Sequence, residues 1–307
     1  MNVGAAGRPA ARRSSEWASY RRVADPPVEA MRAHFDQHVY DRHSHDTYSF
    51  GVTEQGAQAF RCRGATHTSH AGMLMTFNPD DPHDGHTGGP AGFTYRMLHL
   101  PPELVGDVLA DAGGGGLPLF AAPVARDEAL ASRLRRVHAL LLDGATRLEA
   151  SELLSDTVLA VVRRHASRPP AVLLAPGDGL GTAPARPGWA GAAGAGPAGS
   201  APARVRELLH DRFAEDLGAD DLARAVGLSR FQISRLFREA YGVPPSAYLR
   251  QVRLREARRR LAAGEAIAAV APSAGFADQS HLTRWFRRTY GVTPAVYQRG
   301  SGGSRWR

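Results

Sequence analysis

The chain has 307 residues, 43% of them hydrophobic and 22% charged, one cysteine (Cys62) and a net charge of +8. That length holds two domains with cores of their own, one cysteine excludes an intrachain disulfide and fits a reducing compartment, and no apolar run approaches the ~20 residues of a membrane span. The charge is uneven: residues 203–307 carry 19 Arg against 10 Asp and Glu, whereas residues 1–202 carry 19 against 20, so the excess points to a polyanionic partner for the C-terminal third.

Residues 1–15 read as a disordered leader without the apolar core of a secretion signal, which predicts a cytoplasmic protein with no membrane partner. Over 38–100, HSHDTYSFGV, AQAFRCR, AGMLMTFNP and FTYRMLHL are short runs of β-branched and aromatic residues separated by Gly, Asp and Pro, with EQG at 54–56 as a turn. They predict a small antiparallel barrel or sandwich. From 126 the period changes: Leu130, Leu134, Val137 and Leu141 share one helical stripe, and Leu154, Val158, Val161 and His165 another. A helical pair over 126–166 follows, serving to pack on the barrel or to pair two copies of the chain. Residues 16–168 thus form one domain. Residues 169–202 have too little packable surface to fold and read as a Pro/Gly/Ala-rich linker. An all-helical domain over 203–300 and a tail at 301–307 complete an α+β, two-domain chain.

The helical domain contains an echo. LSRFQISRLFREAYGVPPSAYLR at 228–250 returns 49 residues later, with nine of sixteen positions from Arg235 to Arg250 identical. In the first copy a short helix at 221–227, with Asp220 as its N-cap, stops on Gly227 and a second follows. On that second helix Ile233, Leu236, Phe237 and Ala240 form an inward stripe, while Phe231, Ser234, Arg235 and Arg238 form an outward one. In the second copy, 266–275 precedes DQSHLTRWFRRTYG; Leu282, Trp285 and Phe286 face inward, and Ser280, Thr283, Arg284 and Arg287 outward. Pro272 should end the first of these helices early. Helix, short turn with Gly, helix with an outward polar stripe is the helix-turn-helix pattern. Residues 246–264 between the copies make a rod of ~25 Å, long enough to hold two reading helices about one DNA turn apart. A catalytic reading of 275–294 is poor, because the only acid near His281 is Asp278, better used as a helix cap.

Residues 203–300 resemble the DNA-binding domain of the AraC/XylS family of transcription regulators, most specifically in GFADQSHLTRWFRRTYGVTPAVYQR. The resemblance implies that Phe231, Ser234 and Arg235 face bases in one major groove of double-stranded DNA and Gln279, Ser280 and Arg284 in the next. Phe231 has packing inward as its alternative. Arg and Gln suit guanine and adenine edges. Arg238, Arg287 and Arg288 are the candidates for phosphate contacts, and Arg258, Arg259 and Arg260 read as solvating the connecting helix.

His43-x-His45 with the distant His83 resembles the cupin pattern of the small barrels that precede this domain in AraC-type regulators. Alternating histidines share a strand face, but the acid that follows such a pair in metal-binding cupins is missing, the first Glu being Glu54. The expectation is therefore a cofactor-free pocket of His43, His45, Tyr48, Arg61, Arg63, His83 and Arg96 that takes a small polar effector. A metal on His43, His45 and His83 is the alternative. The chain as a whole reads as an effector-responsive, non-enzymatic regulator, with RNA polymerase and a second copy as further partners; a metal-dependent cupin enzyme tethered to DNA and a constitutive DNA-binding protein are the competing readings.

Overall fold

The computed structural model describes residues 15–24, 26–143, 147–167 and 199–300. Nearly all of the expected leader and linker, and the whole tail, lie outside the described residues.

The barrel begins earlier than expected. β1 (Trp17–Ala24) and β2 (Pro27–Phe35) form an antiparallel hairpin in a stretch rich in Arg and Ala, where β-propensity gives no lead. What secures it is burial: Val28, Ala30, Met31, Ala33 and Phe35 of β2 all lie in the core. β2 pairs with β8 (Phe93–Leu100), β8 with β4 (Tyr48–Cys62), β4 with β6 (Met73–Phe77) and β6 with β9 (Val124–Arg126). β4 also pairs with β5 (Ala65–His70) and β7 (His83–Thr87), and β7 with β3 (Tyr40–His43). Every ladder is antiparallel.

The expected turn at Glu54-Gln55-Gly56 is instead a bulge inside β4, with the register shifting between Thr53 and Gln55 and Gly56 at φ +69°. An inserted residue reverses which way later side chains point. Tyr48, Phe50 and Val52 accordingly face the covering helices, whereas Phe60 and Cys62 face the barrel interior.

α1 (Pro102–Asp111), α2 (Glu128–Asp143) and α3 (Arg147–His165) cover the sheet's outer face. The stripes Leu130, Leu134, Val137, Leu141 and Leu154, Val158, Val161 are buried there with Tyr48, Phe50 and Leu98. His165 instead reaches the carboxylate of Asp127 at 2.7 Å.

Among the described residues there follow α4 (Ala201–Asp211), α5 (Ala219–Val226), α6 (Arg230–Tyr241), α7 (Pro245–Ala262), α8 (Ile267–Ser273), α9 (Gln279–Tyr290) and α10 (Pro294–Arg299). α4 starts just ahead of residue 203, capped by Ser200. Asp220 does not cap α5; the break falls at Gly218, whose N–H donates to Asp221 at 2.8 Å, and Asp220 pairs with Arg230. Pro272 sits in the last turn of α8, which stops at Ser273.

The two helix-turn-helix units are buried differently. The first packs on α4 and α7 around Val205, Leu209, Leu222, Ile233 and Phe237. The second shares one core with the barrel interior: Val270, Phe276, Leu282, Phe286 and Tyr297 cluster with Met31, Phe77, Tyr95 and Met97.

Candidate nucleic-acid interface and ligand cavity

Each reading helix is started by a side chain and stopped by a glycine. Ser229 and Gln232 cap α6 reciprocally, at 3.2 Å from the Gln232 N–H to Ser229 Oγ and 3.0 Å from the Ser229 N–H to Gln232 Oε1. The Asp278 carboxylate accepts the His281 N–H at 2.7 Å to start α9. Gly242 and Gly291 end the helices with φ near +74°. Capping fixes where the outward stripe begins, and the exposures follow. Phe231 is 77% exposed, which settles its direction: outward. Arg235, Arg238, Gln279, Ser280, Arg284, Arg287 and Arg288 are exposed, and Ser234 and Thr283 half-buried. Of the residues read as inward, Ile233, Phe237, Leu282 and Phe286 are buried, Leu236 and Trp285 half-buried, and Ala240 exposed. Trp285 carries the Arg250 guanidinium 3.7 Å from its ring centre.

The two heads are not equally free. Among the described residues, Arg235 of the first pairs with Glu239 of its own helix, at 3.6 Å. Arg287 and Arg288 of the second meet the barrel, at Glu16 (3.7 Å) and Asp41 (3.0 Å). Arg258 on α7, read as a solvating residue, is nearly buried at the domain seam; it pairs with Asp46 at 2.7 Å and faces Glu29 at 3.9 Å. The Tyr297 hydroxyl donates to Glu29 at 2.6 Å. Burial pushes the Glu29 carboxyl up, but Arg258, His99 and this hydroxyl outweigh it and hold the group below the usual carboxylate range. Arg255 closes the same seam through Asp80 at 2.5 Å and Ser44 at 3.0 Å.

Behind the seam lies a cavity of about 70 Å³, room for several waters at roughly 10–15 Å³ each. Its barrel wall carries His43, His45, His83 and His99 with Tyr20, Tyr40 and Tyr95; its far wall is Arg258, Thr289, Tyr290 and Tyr297 of the helical domain. Burial above all, with neighbouring imidazoles, pushes His43 down to about 3, and burial pushes His83 and His99 down to about 4, so these rings are neutral near pH 7.

Of the expected pocket residues, the structure brings His43, His45 and His83 together and leaves the other four elsewhere. Tyr48, which precedes the β4 bulge, lies on the helix-covered face and donates to the Pro118 carbonyl. Arg96 alternates with Tyr95, Met97 and His99, so it points to the opposite face and pairs with Glu54 at 2.5 Å. Arg61 is exposed, and Arg63 pairs with Asp81 and donates to the Ala121 carbonyl at 2.6 Å. Tyr95, Met97 and His99 could have been found from the strand alternation of FTYRMLHL; Tyr290 and Tyr297 carried no pocket signal, since only tertiary docking brings them there.

Residues 25–158 match the model of the AraC-like ligand binding domain, and residues 222–300 that of a helix-turn-helix domain. The HTH-type transcriptional regulator YbfI of Bacillus subtilis is 26% identical over 265 residues, covering 83% of this chain and 86% of its own. Among solved structures, ToxT from Vibrio cholerae with bound unsaturated fatty acid aligns at a TM-score of 0.52 and 12% identity over 96% of this chain and 97% of its own. An apo ToxT variant from the same organism gives 0.52 and 12% over 92% and 96%. At that identity the likeness is one of fold: a sheet-rich domain followed by a helical one. No helix among the described residues is long and apolar enough to cross a membrane.

Proposed function

The chain belongs to the AraC-type transcription regulators, with an N-terminal ligand-binding domain and a C-terminal DNA-binding one, and on that premise we propose that a small polar effector in the seam cavity controls how it reads DNA. The observation that carries this reading is that the cavity has one wall from each domain. A ligand there has different contacts when the domains are docked and when they part, and differential affinity is all that a switch requires. ToxT is recorded with a fatty acid, but a cavity of about 70 Å³ in which histidines and tyrosines stand beside Met31, Phe60, Phe77 and Met97 favours a smaller molecule with a few polar groups here.

In the DNA-bound state Phe231, Ser234 and Arg235 face bases in one major groove and Gln279, Ser280 and Arg284 in the next, while Arg238, Arg287 and Arg288 meet phosphates. The protein acts in the cytoplasm as a regulator rather than an enzyme. Acting as an activator, it takes RNA polymerase as a further partner, and Leu148 on α3, 69% exposed, offers apolar surface to a second copy.

The test selects binding sites for the full chain from random DNA, then measures affinity for the selected and for unrelated sequence. A ratio of roughly 10³ or more is expected of a specific regulator. A ratio near one would overturn sequence-specific control, and a selected site whose affinity no bound small molecule alters would overturn the effector.

A further inference from the structure

The main chain fixes which way the cavity histidines can bond. The Asp41 carbonyl lies 2.7 Å from His43 Nδ1, and the Asp81 carbonyl 2.7 Å from His83 Nδ1. A carbonyl only accepts, so both neutral rings carry their hydrogen on Nδ1 and present a lone pair on Nε2. The His43 lone pair is taken: His45 Nε2 stands 3.2 Å from it and must be its donor. His45 therefore keeps a lone pair on Nδ1, a buried atom with no hydrogen-bond partner. His83 Nε2 has no partner among the described residues.

The donors of the same wall are largely spent on the protein. The Tyr297 hydroxyl donates to Glu29 at 2.6 Å, the Tyr40 and Tyr95 hydroxyls bond each other at 2.8 Å, and the Gln58 amide donates to Thr53 at 3.0 Å. Arg258 serves Asp46 at 2.7 Å. What the wall has to offer is acceptors: imidazole lone pairs and the Glu29 carboxylate. Tyrosine hydroxyls take either part, so they do not oppose a donor.

Charge points the same way. The charged residues lining the cavity are Glu29, Asp84 and Arg258, two carboxylates against one guanidinium, and the rings between them are neutral. An anionic ligand would find a net negative wall and no uncommitted cation. A cation finds acceptors and the rings of Tyr20, Tyr40, Tyr95, Tyr290 and Tyr297, whose faces attract positive charge. Tyr290 already holds the Arg258 guanidinium 5.6 Å from its ring centre. Met31, Phe60, Phe77 and Met97 supply apolar wall for a short carbon chain.

We propose that the effector of the seam cavity is a short-chain primary ammonium ion, whose N–H groups donate to the Glu29 carboxylate and to His83 Nε2 among the tyrosine rings. This deepens the effector reading and rests on it. Arg258 stands 3.9 Å from Glu29, a looser pair than a charge-assisted hydrogen bond of about 2.8 Å. An ammonium ion at Glu29 thus competes with α7 for the barrel, which is the difference between docked and parted domains that a switch needs.

The test titrates the full chain calorimetrically with three probes of one chain length, butylammonium, 1-butanol and butanoate, at matched ionic strength. Butylammonium is expected to bind once per chain and at least about tenfold more tightly than butanoate, with butanol between them. Glu29→Gln should weaken butylammonium by at least about tenfold and leave butanol unchanged, and His67→Gln should alter none of the three. Should Glu29→Gln lose butanol too, its seam has opened. A crystal structure of the parent with butylammonium then decides, and a nitrogen beyond hydrogen-bond reach of Glu29 refutes the site. Butylammonium that fails to bind, or binds no better than butanoate, refutes it as well. If butanol or butanoate then alters affinity for the selected DNA site, the effector reading stands with another ligand class. If no probe does so and the chain prefers no DNA site, that reading fails too.

Discussion

Arg288 of the second reading helix and Asp41 of the barrel form an ion pair at 3.0 Å. A residue read as a phosphate contact is thus held by the ligand-binding domain, and its neighbour Arg287 faces Glu16 in the same way at 3.7 Å. On the proposed reading, DNA competes with two barrel carboxylates for the second head and with none for Arg235 of the first.

Removing that competition should raise DNA affinity. Arg288 and Asp41 are both partly exposed, and such pairs contribute at most ~1 kcal/mol, so Asp41→Ala should tighten binding up to about fivefold in the absence of effector. Arg288→Ala should weaken it across all sequences alike and lower the dependence of log K on log salt by about 0.9, the share of one phosphate. Fluorescence anisotropy at three salt concentrations separates the two effects. Tightening by Arg288→Ala would show that this guanidinium does not touch the backbone.

The residues proposed to read bases should behave otherwise. Phe231 is 77% exposed and buries little in the free protein, so Phe231→Ala should leave stability within about ±0.5 kcal/mol while weakening the selected site. Gln279→Ala and Arg284→Ala should each cost ~1–3 kcal/mol on that site and relax preference at one base pair. The measurement is a binding series against single base-pair variants; equal losses on every variant would move these residues to the phosphate class.

Local signals made the helical domain legible from sequence. The repeat, the Ser229 and Asp278 caps and the glycine stops act within a few residues, so spacing located the stripes on α6 and α9. The barrel depended on nonlocal events. One bulge in β4 set Tyr48 and Phe60, on either side of it, on opposite faces of the sheet, and parity on β8 placed His99 rather than Arg96 in the cavity. Arg258 shows the same limit from the other side. Nothing in an arginine-rich helix distinguishes the one that docking will bury, and only the arrival of Asp46 and Glu29 from the barrel does so.

The seam should loosen in acid. Although burial raises the Glu29 carboxyl, Arg258 leads the groups that hold it below its ordinary range in the folded protein. Its stabilising contribution is complete above the unfolded-state pKa of ~4.3 and is lost as pH falls through the lower folded value. Glu29→Gln should therefore cost ~1–3 kcal/mol at pH 7, and the gap to the parent should narrow as pH drops below about 4. Thermal melts across pH report this; a gap that widens in acid would show that Glu29 is not held ionised by Arg258.

Gly291 joins helix geometry to domain docking. It ends α9 at φ +73°, and a Cβ added there would collide with the Tyr40 hydroxyl and stand 2.9 Å from the Phe35 ring. Tyr40 cannot swing away freely, since its hydroxyl is bonded to that of Tyr95 at 2.8 Å and the ring packs on Phe35. Gly291→Ala thus meets an unfavourable backbone conformation, ~1 kcal/mol by itself, and a clash felt only while the domains are docked. Gly242, the equivalent C-cap of α6, has 3.4 Å to its nearest neighbour, Pro82, and the same left-handed φ. Gly242→Ala should therefore pay chiefly the backbone cost, whereas Gly291→Ala should in addition part the barrel from α9 and raise effector-free DNA affinity. Hydrogen exchange across β3 with parallel DNA titrations checks the contrast; identical behaviour of the two variants would mean that the seam does not restrain the second head.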